Sequence, residues 1–164
     1  MARDRPQVII TADDFGRSRA INAAIIRAHR EGILTSASLM VAGDAWEEAV
    51  ELAHANPTLA VGLHLVVSGG RAVLNPRDIP RLVDAAGLFP DDPFRLGLRY
   101  AFDAVARREL AWEIAAQFER FAATGLSLTH VDGHQHLHVH PAVFGLLLPL
   151  ARRYGARGVR VPAD

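Results

Sequence analysis

Every even position of HVDGHQHLHVHP (130–141) from 130 to 140 is a histidine or an aspartate. The histidines are His130, His134, His136, His138 and His140, and the aspartate is Asp132. In an extended strand that alternation sets every polar side chain on one face. Ten residue steps at ~3.3 Å span roughly 33 Å, so one metal ion cannot collect all five rings. Two further stretches carry compatible chemistry: Asp13 and Asp14 in TADDFG, and His64 in GLHL. Two imidazoles and a carboxylate suit Zn²⁺, Fe²⁺, Mn²⁺ or Co²⁺ and leave coordination positions for water and substrate, which is the habit of a catalytic site.

Each stretch has a plainer reading. DDFG is also an ordinary strand-to-helix turn, and a single histidine in an apolar strand is more often a hydrogen-bonded core residue than a ligand. In GLHL, Gly62 and His64 share one face of a strand and Leu63 and Leu65 the other, so the missing side chain at Gly62 leaves room beside the ring. The joint occurrence is what carries weight, because the predicted elements bring all three stretches to one place.

QVIIT (7–11) predicts a buried strand, with DDFGR as the turn after it. Ser18 predicts the cap of a helix with Ile21, Ile25 and Ala28 on one stripe, ended by Gly32. TSASLMV (35–41) predicts a second strand. Asp44 with Glu47 has the spacing of a capping box for the next helix, which Pro57 closes. AVGLHL (60–65) predicts a third strand. Residues 66–102 are rich in Gly and Pro and predict a long excursion with one short helix. A helix over 103–123 follows, with Leu110, Ile114, Phe118 and Phe121 on one face, and Gly125 stops it. LSLTHVD (126–132) predicts a fourth strand, 142–153 a helix kinked by Pro149, and GVRV (158–161) a fifth strand. Strand and helix in alternation mean a parallel α/β sheet, whose functional residues gather at the carboxyl ends of the strands. Asp13 and Asp14, His64, and the stretch from Asp132 to His138 all fall there.

Composition excludes several other classes of function. The 164 residues carry no net charge and no cysteine, and all 18 basic residues are arginine. Disulfides, thiolate metal sites, a cysteine nucleophile, Schiff-base chemistry and a lysine-bearing phosphate loop are thereby removed. Nothing indicates a nucleic-acid partner. No apolar run has the length of a membrane span, and the N-terminus lacks the apolar stretch of a signal peptide, so a cytoplasmic location is expected.

TADDFG, GLHL and HVDGHQHLH, in this order, resemble the YdjC-type carbohydrate deacetylases. The stretches GLHLVVSGGRAVL, GLFPDDPFRLGLRYAF and HVDGHQHLHVHP are most similar to the deacetylases associated with hopanoid biosynthesis. The resemblance implies a deformed (β/α) barrel and a divalent metal ion (Mg²⁺ or Zn²⁺). It also implies hydrolysis of an N-acetyl group from an N-acetylated sugar or glycolipid, an N-acetylglucosaminyl hopanoid lipid in the narrower case, with peripheral membrane association through that substrate. Carried onto this chain, it makes Asp14, His64 and His134 the metal ligands and Asp13 the general base. His136 and His138 either orient a ligand, bind substrate or protonate the leaving amine. His130 and Asp132 form an outer shell, and His140 lies outside the site.

Barrels of this kind need roughly 250 residues, so residues 1–164 are expected to be a single domain forming the N-terminal portion of a (β/α) barrel truncated after about five strands, which either belongs to a longer polypeptide or completes its core through self-association as a homo-oligomer. Leu88, Phe89, Phe94, Leu96, Leu98, Tyr100 and Phe102 are expected either to line a groove for a lipid-linked substrate or to pack onto the sheet. Two alternatives remain open: a non-haem iron oxygenase with a 2-His-1-carboxylate site, and a non-enzymatic module that binds metal or a sugar lipid.

Overall fold

Thr35 and Ser36 both donate their amides to the Ile10 carbonyl, and that register starts the sheet later than apolarity alone predicts. In the computed structural model, which describes residues 8–162, β1 is Thr11–Phe15. Gln7 of the expected strand lies outside the described residues. Val8 and Ile9 are 73% and 77% exposed: their β-branched side chains favour extended backbone, but pairing with the neighbouring strand decides which residues form the sheet. The expected turn at Asp13 and Asp14 is therefore strand.

The order continues with α1 (Arg19–Glu31), β2 (Ser36–Leu39), α2 (Trp46–His54), β3 (Ala60–Leu65), α3 (Pro93–Phe102), α4 (Ala104–Ala123), β4 (His130–Gly133), a 3₁₀ turn (His134–Val139), α5 (Pro141–Arg153) and β5 (Gly158–Val159). The five strands form one sheet in chain order, each parallel to the next. This is the expected parallel α/β architecture, and it sets the chain-distant polar stretches at the carboxyl edge of the strands. No helix among the described residues is long and apolar enough to cross a membrane.

Local chemistry explains most boundaries. Ser18 caps α1 by accepting from the Ile21 amide, and Gly32 ends it. Asp103 caps α4 through the amides of Val105 and Ala106, and Gly125 follows the helix at φ +74°, a left-handed backbone that suits glycine. The expected capping box of α2 does not form. Ala45 occupies the cap position with no side-chain bond, and its amide donates to the Gly16 carbonyl instead. Asn22 of α1 supplies the polar partner there, giving its side-chain N–H to the Ala45 carbonyl and to Glu48. Asp44 is left outside near Arg71. The fourth and fifth strands are shorter than expected, because β4 and β5 pair over only two positions. The helix expected to kink at Pro149 runs through it from Pro141 to Arg153.

The face of α4 read from sequence, Leu110, Ile114, Phe118 and Phe121, is wholly buried. Between those residues runs a buried polar stripe that periodicity does not reveal: Glu109, Glu113 and Gln117. It fastens the excursion after β3. Glu113 accepts from the amides of Val73 and Leu74, Glu109 from Arg81, and Gln117 bonds both backbone groups of Val66. Glu113→Ala is expected to cost about 1–3 kcal/mol for each backbone donor left without a partner. A lower denaturation midpoint, with faster hydrogen exchange confined to Val73 and Leu74, would register the loss.

The aromatic residues of the excursion divide. Phe89, Leu96 and Tyr100 are buried, Tyr100 donating to the Val67 carbonyl. Phe94, Leu98 and Phe102, at successive turns of α3, are 75%, 47% and 83% exposed, and Leu88 is 40% exposed. Part of this set is thus core, and one stripe faces outward.

Candidate metal centre

Neighbouring residues of a regular strand point to opposite faces, yet Asp13 and Asp14 both serve one site. The register of β1 against β2 shifts between Ala12 and Phe15, and Asp14 sits at φ +63°. This bulge turns the second carboxylate to the side of the first. Aspartate is among the few non-glycine residues that adopt such a backbone, which costs on the order of 1–3 kcal/mol. A second reversal shapes the histidine motif. The strand ends at Gly133, and Gln135 and His136 take φ of +53° and +56°. The alternation of rings along one extended face, expected from sequence, is lost in the turn.

Together the two distortions bring Asp14, His64 and His134 to one point, with ligand atoms within 4.8 Å of one another. His134 Nδ1 lies 3.1 Å from Asp14 Oδ1, and His64 Nε2 lies 3.2 Å from the same oxygen. His64 Nδ1 is 2.8 Å from Asp132 Oδ1. A carboxylate there can only accept, so Nδ1 carries a proton, and Nε2 is the nitrogen that faces Asp14. Nε2 is buried and has no hydrogen-bond partner. An orphaned imidazole nitrogen against a carboxylate, its ring held by a second carboxylate behind it, is a donor set that fits a divalent cation.

The electrostatics agree. Burial opposes charge on His64, but the carboxylates of Asp132 and Asp14 outweigh it and lift its pKa to about 9. The imidazoles of His134 and then His64 beside it hold the Asp14 carboxyl well below the usual carboxylate range. Burial likewise opposes ionisation of Asp132, and His64 overrides it. What favours a proton between these groups favours any cation there.

The remaining sequence candidates separate. Asp13 stands beside the triad, its Oδ2 2.8 Å from Arg160 Nη1 and its Oδ1 3.3 Å from Ser38 Oγ. Asp132 is the expected outer-shell carboxylate of His64, and its other oxygen accepts from Ser38 and pairs with Arg160. His130 touches none of these ligands by hydrogen bond. Its ring fills the space over Gly62, where a Cβ would come within 2.4 Å of it. Gly62 therefore makes room for His130 rather than for His64. His136 is exposed, and His138 is fully buried with Nε2 2.9 Å from the Arg160 carbonyl. That placement removes His138 from the open face of the site and leaves His136 as the solvent-facing imidazole of the motif. His140 packs beside Gly97 of α3, away from the triad.

The sequence profile described as "YdjC-like protein" matches residues 7–164. The chain belongs to the YdjC-like family. Among relatives of this YdjC-like chain, a carbohydrate deacetylase of Brevibacillus brevis (strain 47) is 46% identical over 148 residues, covering 90% of this chain and 56% of that protein. A carbohydrate deacetylase of Geobacillus stearothermophilus is 42% identical, covering 89% and 56%. The chain thus spans little more than half the length of the curated relatives it matches. A crystal structure from Enterococcus faecalis V583, provisionally named a cellobiose-phosphate cleavage protein, superposes with a TM-score of 0.80 at 31% identity, covering 95% of this chain and 59% of that one.

Two residues that touch Asp13 and Asp132 carry no mark of their own in the sequence. Ser38 lies in a strand of small residues, and Arg160 is one of 18 arginines. A signal existed for Arg160, since GVRV places it at the carboxyl end of a strand, the position that identified the other candidates. Gln135, whose amide donates to Asp91 at 2.5 Å, ties the histidine turn to the residues preceding α3.

Proposed function

We propose that this chain carries the metal-binding and proton-accepting groups of a divalent-metal-dependent N-deacetylase acting on N-acetylated amino sugars. The observation that carries the reading is the convergence of Asp14, His64 and His134 beside a second carboxylate, Asp13, that an arginine holds in place. The carbohydrate deacetylases among the relatives support the sugar as substrate class.

Asp14, His64 and His134 would hold Mg²⁺ or Zn²⁺, and a cation there supplies Lewis acidity toward a water molecule and the amide carbonyl. Asp13 accepts the proton of the attacking water. Arg160 pins its Oδ2, which leaves Oδ1, touched only by the Ser38 hydroxyl at 3.3 Å, to take the proton. The C–N bond then breaks as the nitrogen takes up a proton, because an amide anion does not leave, and the products are acetate and the free amine. His136 is the donor we assign, since His138 has no open face. Asp132 keeps the His64 lone pair directed at the ligand position. A non-haem oxygenase would need the same three ligands but would have no use for a base held by an arginine beside them.

The finer readings rest on narrower support. Strands that are parallel and in chain order are what one wall of a deformed (β/α) barrel requires, and they support that architecture for the whole protein. The exposed stripe of Phe94, Leu98 and Phe102 supports a glycolipid such as an N-acetylglucosaminyl hopanoid, with membrane association through it.

Acetate release from N-acetylglucosamine and its glycolipid conjugates tests the reading, using protein stripped with a chelator and reloaded with defined metals. Release that requires the metal and is indifferent to oxygen is expected. Metal binding without release from any acetylated sugar would leave a binding module instead, and dependence on oxygen would point to an oxygenase.

A further inference from the structure

We propose that His138 is a positioning residue: from the buried side of the turn after β4 it fixes the backbone of Arg160, and through Arg160 it sets the orientation of Asp13. The inference rests on the hydrolytic role given to Asp13 above, and it concerns a histidine that this role leaves unused.

β5 is a two-residue strand, paired to β4 only at Gly158 and Val159. Arg160 comes next, beyond the last paired position, where a chain would normally leave the sheet. Its two backbone groups are nevertheless both engaged. The amide donates to the Val131 carbonyl at 2.9 Å, and the carbonyl accepts from His138 Nε2 at 2.9 Å. The second bond comes from a different element, the 3₁₀ turn that also carries His134. With the backbone held at both ends, the guanidinium reaches Asp13 at 2.8 Å and Asp132 at 3.1 Å, and bridges the two carboxylates.

The His138 ring is built into this place. It is fully buried. A Cβ on Gly133 would lie 2.8 Å from the His138 Cβ and 3.1 Å from Nδ1, so the glycine in HVDGH is the space that the ring occupies. A carbonyl can only accept, so Nε2 bears the proton. In the neutral ring Nδ1 is then a lone pair, and it is buried without a partner. Such a ring has one hydrogen bond to give and gives it to Arg160. It has no proton to deliver to a substrate and no exposed edge from which to deliver one.

The substitutions that separate positioning from mere packing are His138→Leu and His138→Gln. Glutamine places an amide N–H near the Nε2 position, whereas leucine fills volume with no donor. His138→Leu is expected to leave Zn²⁺ affinity within a few-fold of the parent, because Asp14, His64 and His134 are untouched. It is expected to lose the slowly exchanging guanidinium protons of Arg160 in ¹H–¹⁵N spectra, assigned with Arg160→Lys. Turnover should fall about 10- to 100-fold, the range for partners that orient a catalytic group, in kcat with KM little changed. His138→Gln should restore both the guanidinium signals and kcat. If His138→Leu keeps the Arg160 signals and the parent kcat, or if the loss is not recovered by His138→Gln in a protein that melts like the parent, the proposal is wrong. Should the parent release no acetate at all, the deacetylase reading fails, while the Arg160 spectra still decide whether His138 positions it.

Discussion

Asp14→Asn is expected to abolish tight binding of a divalent cation while the protein remains folded. Asp14 supplies the only charged ligand of the triad, and one of its oxygens is the common neighbour of both imidazoles. A neutral amide in its place donates where the site needs acceptance, and half of its orientations turn an N–H toward the cation. Loss of an outer-shell partner typically costs 10- to 100-fold in metal affinity, so loss of the charged ligand itself should exceed about 100-fold. Asparagine is the informative substitution because it tolerates the left-handed backbone at φ +63° nearly as well as aspartate. Alanine would add strain to the loss of the ligand. Calorimetric titration with Zn²⁺, together with a melting curve, separates the two effects. Parent-like affinity in Asp14→Asn would remove Asp14 from the ligand set.

Asp13→Asn should give the complementary result: metal retained and turnover lost by about 10²- to 10⁴-fold, the usual cost of a missing general base. The structure sharpens this expectation. Arg160 and Ser38 both touch Asp13, and neither touches Asp14, so loss of the Asp13 charge removes no hydrogen bond made by Asp14, His64 or His134. An asparagine would still accept from Arg160 through its carbonyl oxygen but could take no proton from water. Elemental analysis of the purified variants and single-turnover acetate release are the measurements. Should Asp13→Asn lose the metal while Asp14→Asn keeps it, the two roles are exchanged.

Much of the site was legible because its residues are rare and patterned. An imidazole in GLHL, adjacent aspartates after an apolar start and a histidine-rich stretch each stand out against a background of Ala, Leu and Arg. The rule that functional residues gather at the carboxyl ends of parallel strands placed them together. The buried face of α4, the cap at Ser18 and the strand 60–65 were legible for a related reason: local periodicity and capping chemistry act over four residues or fewer, within the reach of the sequence itself.

What stayed hidden depends on partners distant in the chain. The sequence by itself determined an alternating parallel α/β chain, the exclusion of thiol and lysine chemistry and, through its resemblance to the YdjC-type deacetylases, the three side chains that converge. Tertiary structure alone decided which way each ligand points. Nothing in TADDFG announces that Asp14 takes a positive φ; the shifted pairing of β1 with β2 imposes it. Nothing in HQHLH shows that the chain reverses at Gln135 and His136, turning His136 to solvent and His138 inward against Gly133. The assignment of Gly62 to His130, of Arg160 to Asp13, and of Ala45 rather than Asp44 to the cap of α2 follows the same logic. Hydrogen bonds and close contacts between elements tens of residues apart outweigh local preferences of a fraction of a kcal/mol to about 1 kcal/mol, and only the folded chain brings those partners within reach.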